Sequence, residues 1–413
     1  MGKEIIEFEQ HIERGCGMDV HKETVVATVS GQGIKTETRT FSTITSSLKS
    51  MAQWLKKNGI THIAMESTGV YWKPVYNVLE KDFEILLVNA RHIKNVPGRK
   101  TDKADSKWIC KLLRSGLLKG SFIPPQDIRE LRDLTRYRRK LTEQIAAEKN
   151  RIQRILEDAN IKLSSVVSDI EGVVASRLID GLLRGENVRE LVKEHYHGKL
   201  SASREELEEA ITGFFTSHHR FMITTIKSHI GYLEQQIDQI DTEIDRKVDT
   251  CRELIELLRT IPGVGKEGAV GIIAEIGTKM DVFPDEHHLS SWAGMSPGNN
   301  ESAGKKKSSR ITHGDIYLKA LLVELAWAAT RTKRTYLRAK YDSLAGRRGK
   351  KRALIAVGHK ILCACYHIIK NKEPFKELGA DFMDKKRKTK KIANLKRQLK
   401  ELGVEIEIKE KAA

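Results

Sequence analysis

Four carboxylates are the residues of this chain whose type and setting suit chemistry. Asp102 and Asp105 lie in "PGRKTDKADSKWI", three apart among basic residues. On a helix that spacing sets both acids on one face, one turn apart. Asp19 lies in the strand-like stretch "GMDVHKETVVATV", and Glu66 closes the strand-like stretch "AMESTG". A strand-borne Asp, an acid ending a later strand and a DxxD on a following helix can converge at one edge of a sheet. Convergent carboxylates are the hard oxygen ligands that Mg²⁺ prefers, with water and substrate phosphate completing the shell. Two such ions can stabilise the attacking and leaving oxygens of a phosphoryl transfer. Arg99, Lys100, Lys103 and Lys107 would then meet a phosphate backbone. A bare DxxD is also a common solvated pattern, so the rest of the chain has to be weighed with it.

A second candidate region is the serine-bearing loop "WAGMSPGNNESAGKKKSSRITHGD", which contains Ser302 among other serines. This stretch is long, rich in Gly, Asn and Ser, and strongly basic, and long loops within compact domains tend to be functional. Lys305, Lys306, Lys307 and Arg310 could neutralise charge on a phosphate. A serine hydroxyl is a poor nucleophile unless a base or a metal activates it, and the ordinary role of a loop serine is to bond its own backbone. Just upstream, "LLRTIPGVGKEGAVGIIAEIG" sets a glycine-bracketed turn between two apolar helical stretches. A helix-hairpin-helix of this kind can hold a phosphate on backbone N–H groups, here around Gly263 and Gly265. An ordinary tight connection between helices has the same pattern. His21 and Lys22, next to Asp19, have a phosphate-facing reading beside a plain surface one.

These residues need elements to carry them. "CGMDVHKETVVATVSG" reads as a strand, and "GQGIKTETRTFST" as a strand returning after a Gly-rich turn. "SSLKSMAQWLKKNG" has a Ser cap, helical apolar spacing and a terminal Gly. "THIAMES" and "FEILLVNA" are further strands, with "GVYWKPVYNVLEKD" as a helix between them, and the stretch from Lys100 to Leu118 reads as a helix. Strands that first pair as a hairpin and then alternate with helices predict an α/β domain over residues 1–125, ending at the Pro-Pro of "SFIPPQDIRE". Residues 126–258 predict long paired helices, a coiled-coil spacer and dimerisation region in which Ile152, Ile155 and Ile237 hold protomers together. Residues 259–378 form a mostly helical C-terminal domain, and residues 379–413 a basic tail.

Composition narrows the class. The chain has 413 residues, 39% of them apolar, and a net charge of +18, which points to a polyanionic partner. Nucleic acid comes first and an anionic membrane surface second. No apolar run is expected to span a bilayer, and "MGKEIIEFEQHIERG" lacks the apolar stretch of a signal peptide, so a cytoplasmic location is expected. The five cysteines are odd in number and contain no CxxC, which argues for reduced, buried thiols.

Three stretches, "GMDVHKET", "MESTGVYW" and "RKTDKADSKWICKLL", resemble the DEDD transposases of bacterial insertion sequences, the family that includes Piv-type DNA invertases. "IPGVGKEGAVGIIAEIG" and "AGMSPGNNESAGKKKSSRITHGD" extend the resemblance into the second half, in the family's motif order. The resemblance implies a RuvC-like domain of the RNase H fold whose four acids are Asp19, Glu66, Asp102 and Asp105. It implies a C-terminal transposase domain with Ser302 as nucleophile, and strand exchange through a covalent serine–DNA intermediate. It further implies two Mg²⁺ ions, donor and target DNA, a structured noncoding guide RNA of the element, and a homo-oligomer, dimer or tetramer. In that assembly the acids of one protomer meet Ser302 of another. Relatives often carry a second Ser or Thr and a second Gly just after the serine. Here Ala303 and Lys305 stand there, leaving Ser296, Ser308 and Ser309 as rival nucleophiles. Two other readings share parts of this pattern. One is a Holliday-junction-type resolvase or nuclease that hydrolyses DNA with the acids alone. The other is a non-enzymatic nucleic-acid-binding scaffold.

Overall fold

A computed structural model describes residues 11–66, 69–89, 105–167, 169–170, 172–197, 200, 202–298, 300–302, 305–308 and 310–401. The chain folds as two compact units, residues 1–123 and 124–413.

The first unit is a five-stranded sheet in the order β3-β2-β1-β4-β5. Its strands are β1 (Arg14–Val20), β2 (Thr24–Gly31), β3 (Ile34–Ser42), β4 (His62–Glu66) and β5 (Glu84–Val88). β1 to β3 run antiparallel as a meander, whereas β4 and β5 join β1 in parallel. The stretch that reads as one first strand is therefore two. The polar run His21–Glu23 turns the chain between Val20 and Thr24, where His21 N–H donates to the Thr24 carbonyl. Parallel pairing needs crossovers, and α1 (Thr45–Lys57) and α2 (Trp72–Leu79) supply helical segments within them.

Side chains alternate across a strand, and β1 uses this to build two different faces. Cys16, Met18 and Val20 point into the core with Val25, Ala27, Val29, Ile63 and Met65, packed against Leu48, Met51 and Leu55 of α1. The other face carries Gly15, Gly17 and Asp19. There α3 (Asp105–Arg114) lies against the sheet, its Ile109, Leu112 and Leu113 buried with Ala64 and Val88. The helical reading from Lys100 holds for Asp105–Arg114, while residues 100–104, including Lys100, Asp102 and Lys103, lie outside the described residues.

The second unit is mostly helical. Two long helices, α4 (Gln126–Asp158) and α9 (Ser217–Lys247), pack side by side. Leu141, Ile145 and Leu233 are buried between them, with Ile230, Ile237 and Ile240 against the cluster. Four shorter helices fill the excursion between the pair: α5 (Leu163–Val166), α6 (Val173–Arg184), α7 (Val188–His195) and α8 (Arg204–Ile211). Their apolar faces share a core with Ile152 and Leu156 of α4 and Ile223 and Ile226 of α9, and Ile155 packs against it. The apolar stripes that suggest contacts between protomers are thus occupied within the chain. Ile152 and Ile155 face the excursion helices, which fold back onto the long pair, and Ile237 faces the cluster between the two long helices themselves.

The remainder comprises α10 (Arg252–Arg259), α11 (Lys266–Ile276), α12 (Glu286–Trp292), a hairpin of β6 (Asn300–Ser302) and β7 (Lys305–Ser308), α13 (Ile316–Ala329), α14 (Tyr336–Arg348), α15 (Lys350–Asn371) and α16 (Phe382–Glu401). By length and composition α15 is apolar enough to cross a membrane, contrary to the expectation of no such run. Its apolar side chains are used in packing instead: Ala353, Val357, Ile361, Leu362, Tyr366 and Ile369 are buried in the unit. The basic run expected as a tail is helical up to Glu401.

Candidate active site

Asp19 and Glu66 come together through strand register. Met18 pairs with Met65 across the parallel β1–β4 ladder, so the next residues along, Asp19 one place before the end of β1 and Glu66 at the end of β4, lie at the same end of the two strands. Asp105 reaches the same place as the first residue of α3. Gly17 makes that approach possible: a Cβ there would lie 2.2 Å from the Ser106 carbonyl oxygen and 2.3 Å from the Cys110 nitrogen. The helix therefore sits on bare strand backbone. Two polar contacts hold it in register. Ser106 Oγ lies 2.8 Å from Thr28 Oγ1 in a buried hydroxyl pair, and Cys110 Sγ donates to the Gly15 carbonyl at 3.3 Å. Thr28 stands opposite Gly17 on β2, so the clamp acts where the helix is closest to the sheet.

The electrostatics record the gathering of acids. The Asp19 carboxyl is pushed above its usual range, first by burial, and also by the negative charges of Asp105 and Glu66, against the lowering effect of His21. The His21 ring nitrogen Nε2 is 3.2 Å from Asp19 Oδ2. His21 is thus placed as a partner of the acid. Lys107 is exposed one helical step beyond Ser106. Among the described residues, no group of three or more His, Cys, Asp or Glu side chains is drawn close enough to hold a metal ion. Asp102 falls outside those residues. The donors are all carboxylate oxygens, and their mutual repulsion is what a divalent cation would relieve.

In the second unit the stretch read as a loop is a β-hairpin. Ser302 pairs with Lys305 at its tip, Glu301 with Lys306, and Asn300 with Ser308. Below the tip, Gly298 N–H donates to the Arg310 carbonyl at 2.7 Å and Thr312 N–H to the Ser296 carbonyl at 3.2 Å. Ser302 therefore stands immediately before the turn, while Ser296 sits near the base in the ladder. Lys305 and Arg310 are exposed. Lys306 and Lys307 lie on β7, and Ser309 is outside the described residues. The base closes on a pair of glycines: a Cβ on Gly314 would lie 2.2 Å from the Gly294 nitrogen. Gly294 also has φ +67°, which favours glycine.

The glycine-bracketed turn divides its two glycines between different jobs. Gly263, at φ +86°, packs so closely on α13 that a Cβ would lie 2.4 Å from the Ala329 nitrogen. That is a packing role for the side of Gly263 where a side chain would stand. Gly265 caps α11 in extended backbone, and a Cβ there would have nothing within 4 Å. Reading the sequence missed an ionic cluster around the buried Glu275 beside the hairpin, formed with Arg132, Arg136 and Asp315. A charged residue at an apolar-phase position, Glu275 in "GIIAEIG", is the signal that marks it.

Comparison with known proteins defines the class first: two transposase family models match, one in each half of the chain. Residues 16–161 match the DEDD transposase model of the IS110 type, described as "Transposase", and residues 255–342 match "Transposase IS116/IS110/IS902 family". Between them they cover more than half of the sequence, and the chain belongs to the IS110-type DEDD transposase family. It is also similar to the pilin gene-inverting protein of Moraxella bovis, 27% identical over 193 residues, which is 45% of this chain and 57% of the relative. The pilin gene-inverting protein of Moraxella lacunata matches with the same identity and coverage. The chain spans 57% of the length of these curated relatives.

Proposed function

We propose that this protein is a DNA transposase or recombinase that exchanges DNA strands of an insertion sequence through a covalent serine–DNA intermediate. The observation that carries the reading is the meeting of Asp19, Glu66 and Asp105 at one end of the β1–β4 pair, in a unit whose strand order suits an RNase H-like, RuvC-like domain. Asp102, three residues before Asp105 in the sequence, is proposed as the fourth acid. These residues would hold Mg²⁺, two ions per site, and the bound metal would supply Lewis-acid stabilisation to the oxygens of a phosphoryl transfer.

Ser302 is the proposed nucleophile. Its hydroxyl loses a proton and attacks a backbone phosphorus. A serine O–P bond forms, the bond to one sugar oxygen breaks, and that oxygen leaves with a proton. Attack by the sugar hydroxyl of an incoming strand reverses these changes and releases the serine. The phosphodiester energy stays in the bond, so no nucleotide cofactor is consumed. Lys305, exposed at the hairpin tip, Arg310, exposed nearer its base, and Lys306 and Lys307 on β7 supply positive charge for the phosphate. Lys100, Lys103 and Lys107 would contact the backbone near the acids, as would Gly265 at the start of α11. The net charge of +18 supports polyanionic partners. A structured noncoding guide RNA, a homo-oligomer of two or four chains, and a cytoplasmic, nucleoid-associated location follow from the family resemblance.

The test uses labelled insertion-sequence DNA with the element's noncoding RNA and Mg²⁺, quenched in denaturant and run on a gel. Wild type is expected to give a slow, protease-sensitive band. Ser302→Ala should bind nucleic acid and give none. Persistence of the band in Ser302→Ala would move the nucleophile elsewhere, with Ser296 and Ser308 next. Clean cutting by wild type without the band would favour hydrolysis by the acids alone.

A further inference from the structure

The hairpin that bears Ser302 is short, with three residues in β6 and four in β7. Its placement depends on what fixes its base. The chain enters at Gly294 and leaves at Gly314, which touch backbone to backbone. The next residue, Asp315, caps α13: its Oδ1 accepts from Tyr317 N–H at 2.9 Å and Leu318 N–H at 3.0 Å. Its other oxygen, Oδ2, accepts from Arg136 at 2.9 Å. Lys319, one turn into α13, donates to the Thr312 carbonyl on the outgoing strand.

Arg136 belongs to α4, far away in sequence, and is a hub. Besides Asp315, it donates from Nε to Glu275 Oε1 at 2.8 Å and from Nη2 to Glu275 Oε2 at 2.7 Å. Its guanidinium carbon lies 4.2 Å from the centre of the Tyr317 ring. Arg132, one turn earlier on α4, caps the carboxyl end of α11 by donating to the Ala274 and Glu275 carbonyls at 2.9 and 2.7 Å. Glu275 itself is 3% exposed. Two half-buried guanidinium groups thus face two carboxylates, of which Glu275 is buried. Burial opposes the Arg136 charge, but the Glu275 hydrogen bonds and the adjacent carboxylates hold its pKa above the ordinary value. A bidentate guanidinium has one geometry, which Lys cannot reproduce.

We propose that Arg136 is a positioning residue: through Glu275 and Asp315 it ties α4 and α11 to the exit of the serine hairpin, and so sets where Ser302 is presented. This rests on the reading of Ser302 as nucleophile for its catalytic consequence, but not for its structural one. Reacting groups must be held within a fraction of an ångström, so a loosened hairpin base lowers the chemical step more than binding.

The experiment compares wild type with Arg136→Lys, Arg136→Met and Asp315→Asn, all as the full chain. Asn keeps the helix cap but loses the charge. Hydrogen exchange is read at the Gly298 and Thr312 amides, which close the base of the hairpin, and adduct formation is timed at saturating DNA. Arg136→Met should lower protection at both amides by about tenfold or more, and slow the adduct by about 100-fold with DNA affinity nearly unchanged. Arg136→Lys and Asp315→Asn should fall between. Leu178→Ala, which opens a cavity in the core around α6, serves as a stability control and should lower the melting temperature without touching either readout. Unchanged amide protection in Arg136→Met overturns the proposal, as does an equal loss in Leu178→Ala. If wild type forms no adduct, the function above fails, while the amide readout still decides this inference.

Discussion

Replacing Gly17 by Ala tests how the acids are brought together. The added Cβ would lie 2.2 Å from the Ser106 carbonyl oxygen, 2.3 Å from the Cys110 nitrogen and 2.8 Å from the Cys110 Cα. A relaxed carbon–oxygen contact is about 3.3 Å, so α3 must retreat by roughly 1 Å. The obstructing atoms are helix backbone and cannot rotate away. The cost should therefore fall near the upper end of overpacking, about 3 kcal/mol. The retreat also breaks the buried Thr28–Ser106 hydroxyl pair and carries Asp105 away from Asp19 and Glu66. Displacement of a reacting constellation by that distance lowers rates by about 100-fold. The assay is Mg²⁺-dependent adduct formation at saturating DNA, alongside calorimetric unfolding. Gly15→Ala is the control, since its Cβ would meet only the Arg114 and Leu113 side chains, each at 3.2 Å. It should unfold close to wild type and stay active. Refutation would be a Gly17→Ala variant with wild-type melting and wild-type rate, since the helix would then not be seated on the strand backbone.

Two further expectations concern charge and packing. The folded-state pKa of Asp19 lies above its unfolded value, so its contribution to stability is present at low pH and is lost as pH rises through the folded value. Asp19→Asn should therefore raise the melting temperature of metal-free protein at neutral pH, with the gain vanishing under acid conditions, and added Mg²⁺ should stabilise wild type but not the variant. A variant that melts below wild type at neutral pH without metal would contradict the crowding of acids. Ile152, 8% exposed in the core around α6 to α8, should cost about 3 kcal/mol or more when changed to Asp. Light scattering should find the same mass for folded Ile152→Asp as for wild type, and a changed mass with intact melting would restore an intermolecular role for this stripe.

Much of the site was legible in residue types because the relevant patterns are local. Alternation over "RGCGMDV" marks a strand with two faces, and the period of "DSKWICKLL" marks a helix with an apolar side. The acids stand out because carboxylates at the ends of such elements need a reason. The Gly-x-Gly-x-Asp rhythm of β1 even contained the seat of α3, since alternate residues share a face. Yet nothing local says that a helix will come to lie there. That Asp19 neighbours Glu66 depends on parallel β1–β4 register, and that Asp105 joins them depends on the fit of α3 over Gly17. Both are long-range pairings. The helical middle shows the same division. The spacing of Ile152, Ile155 and Ile237 dictates buried helix faces, but an apolar stripe is satisfied equally by another protomer or by its own chain. The return of α6, α7 and α8 chose the latter for Ile152 and Ile155, and the pairing of α4 with α9 chose it for Ile237. Around Ser302, composition announced a polar, glycine-rich turn. The hairpin, its glycine clasp and the Arg136–Glu275–Asp315 cluster were decided by tertiary structure. A half-buried guanidinium can find its carboxylates only when segments from three distant parts of the sequence close around it.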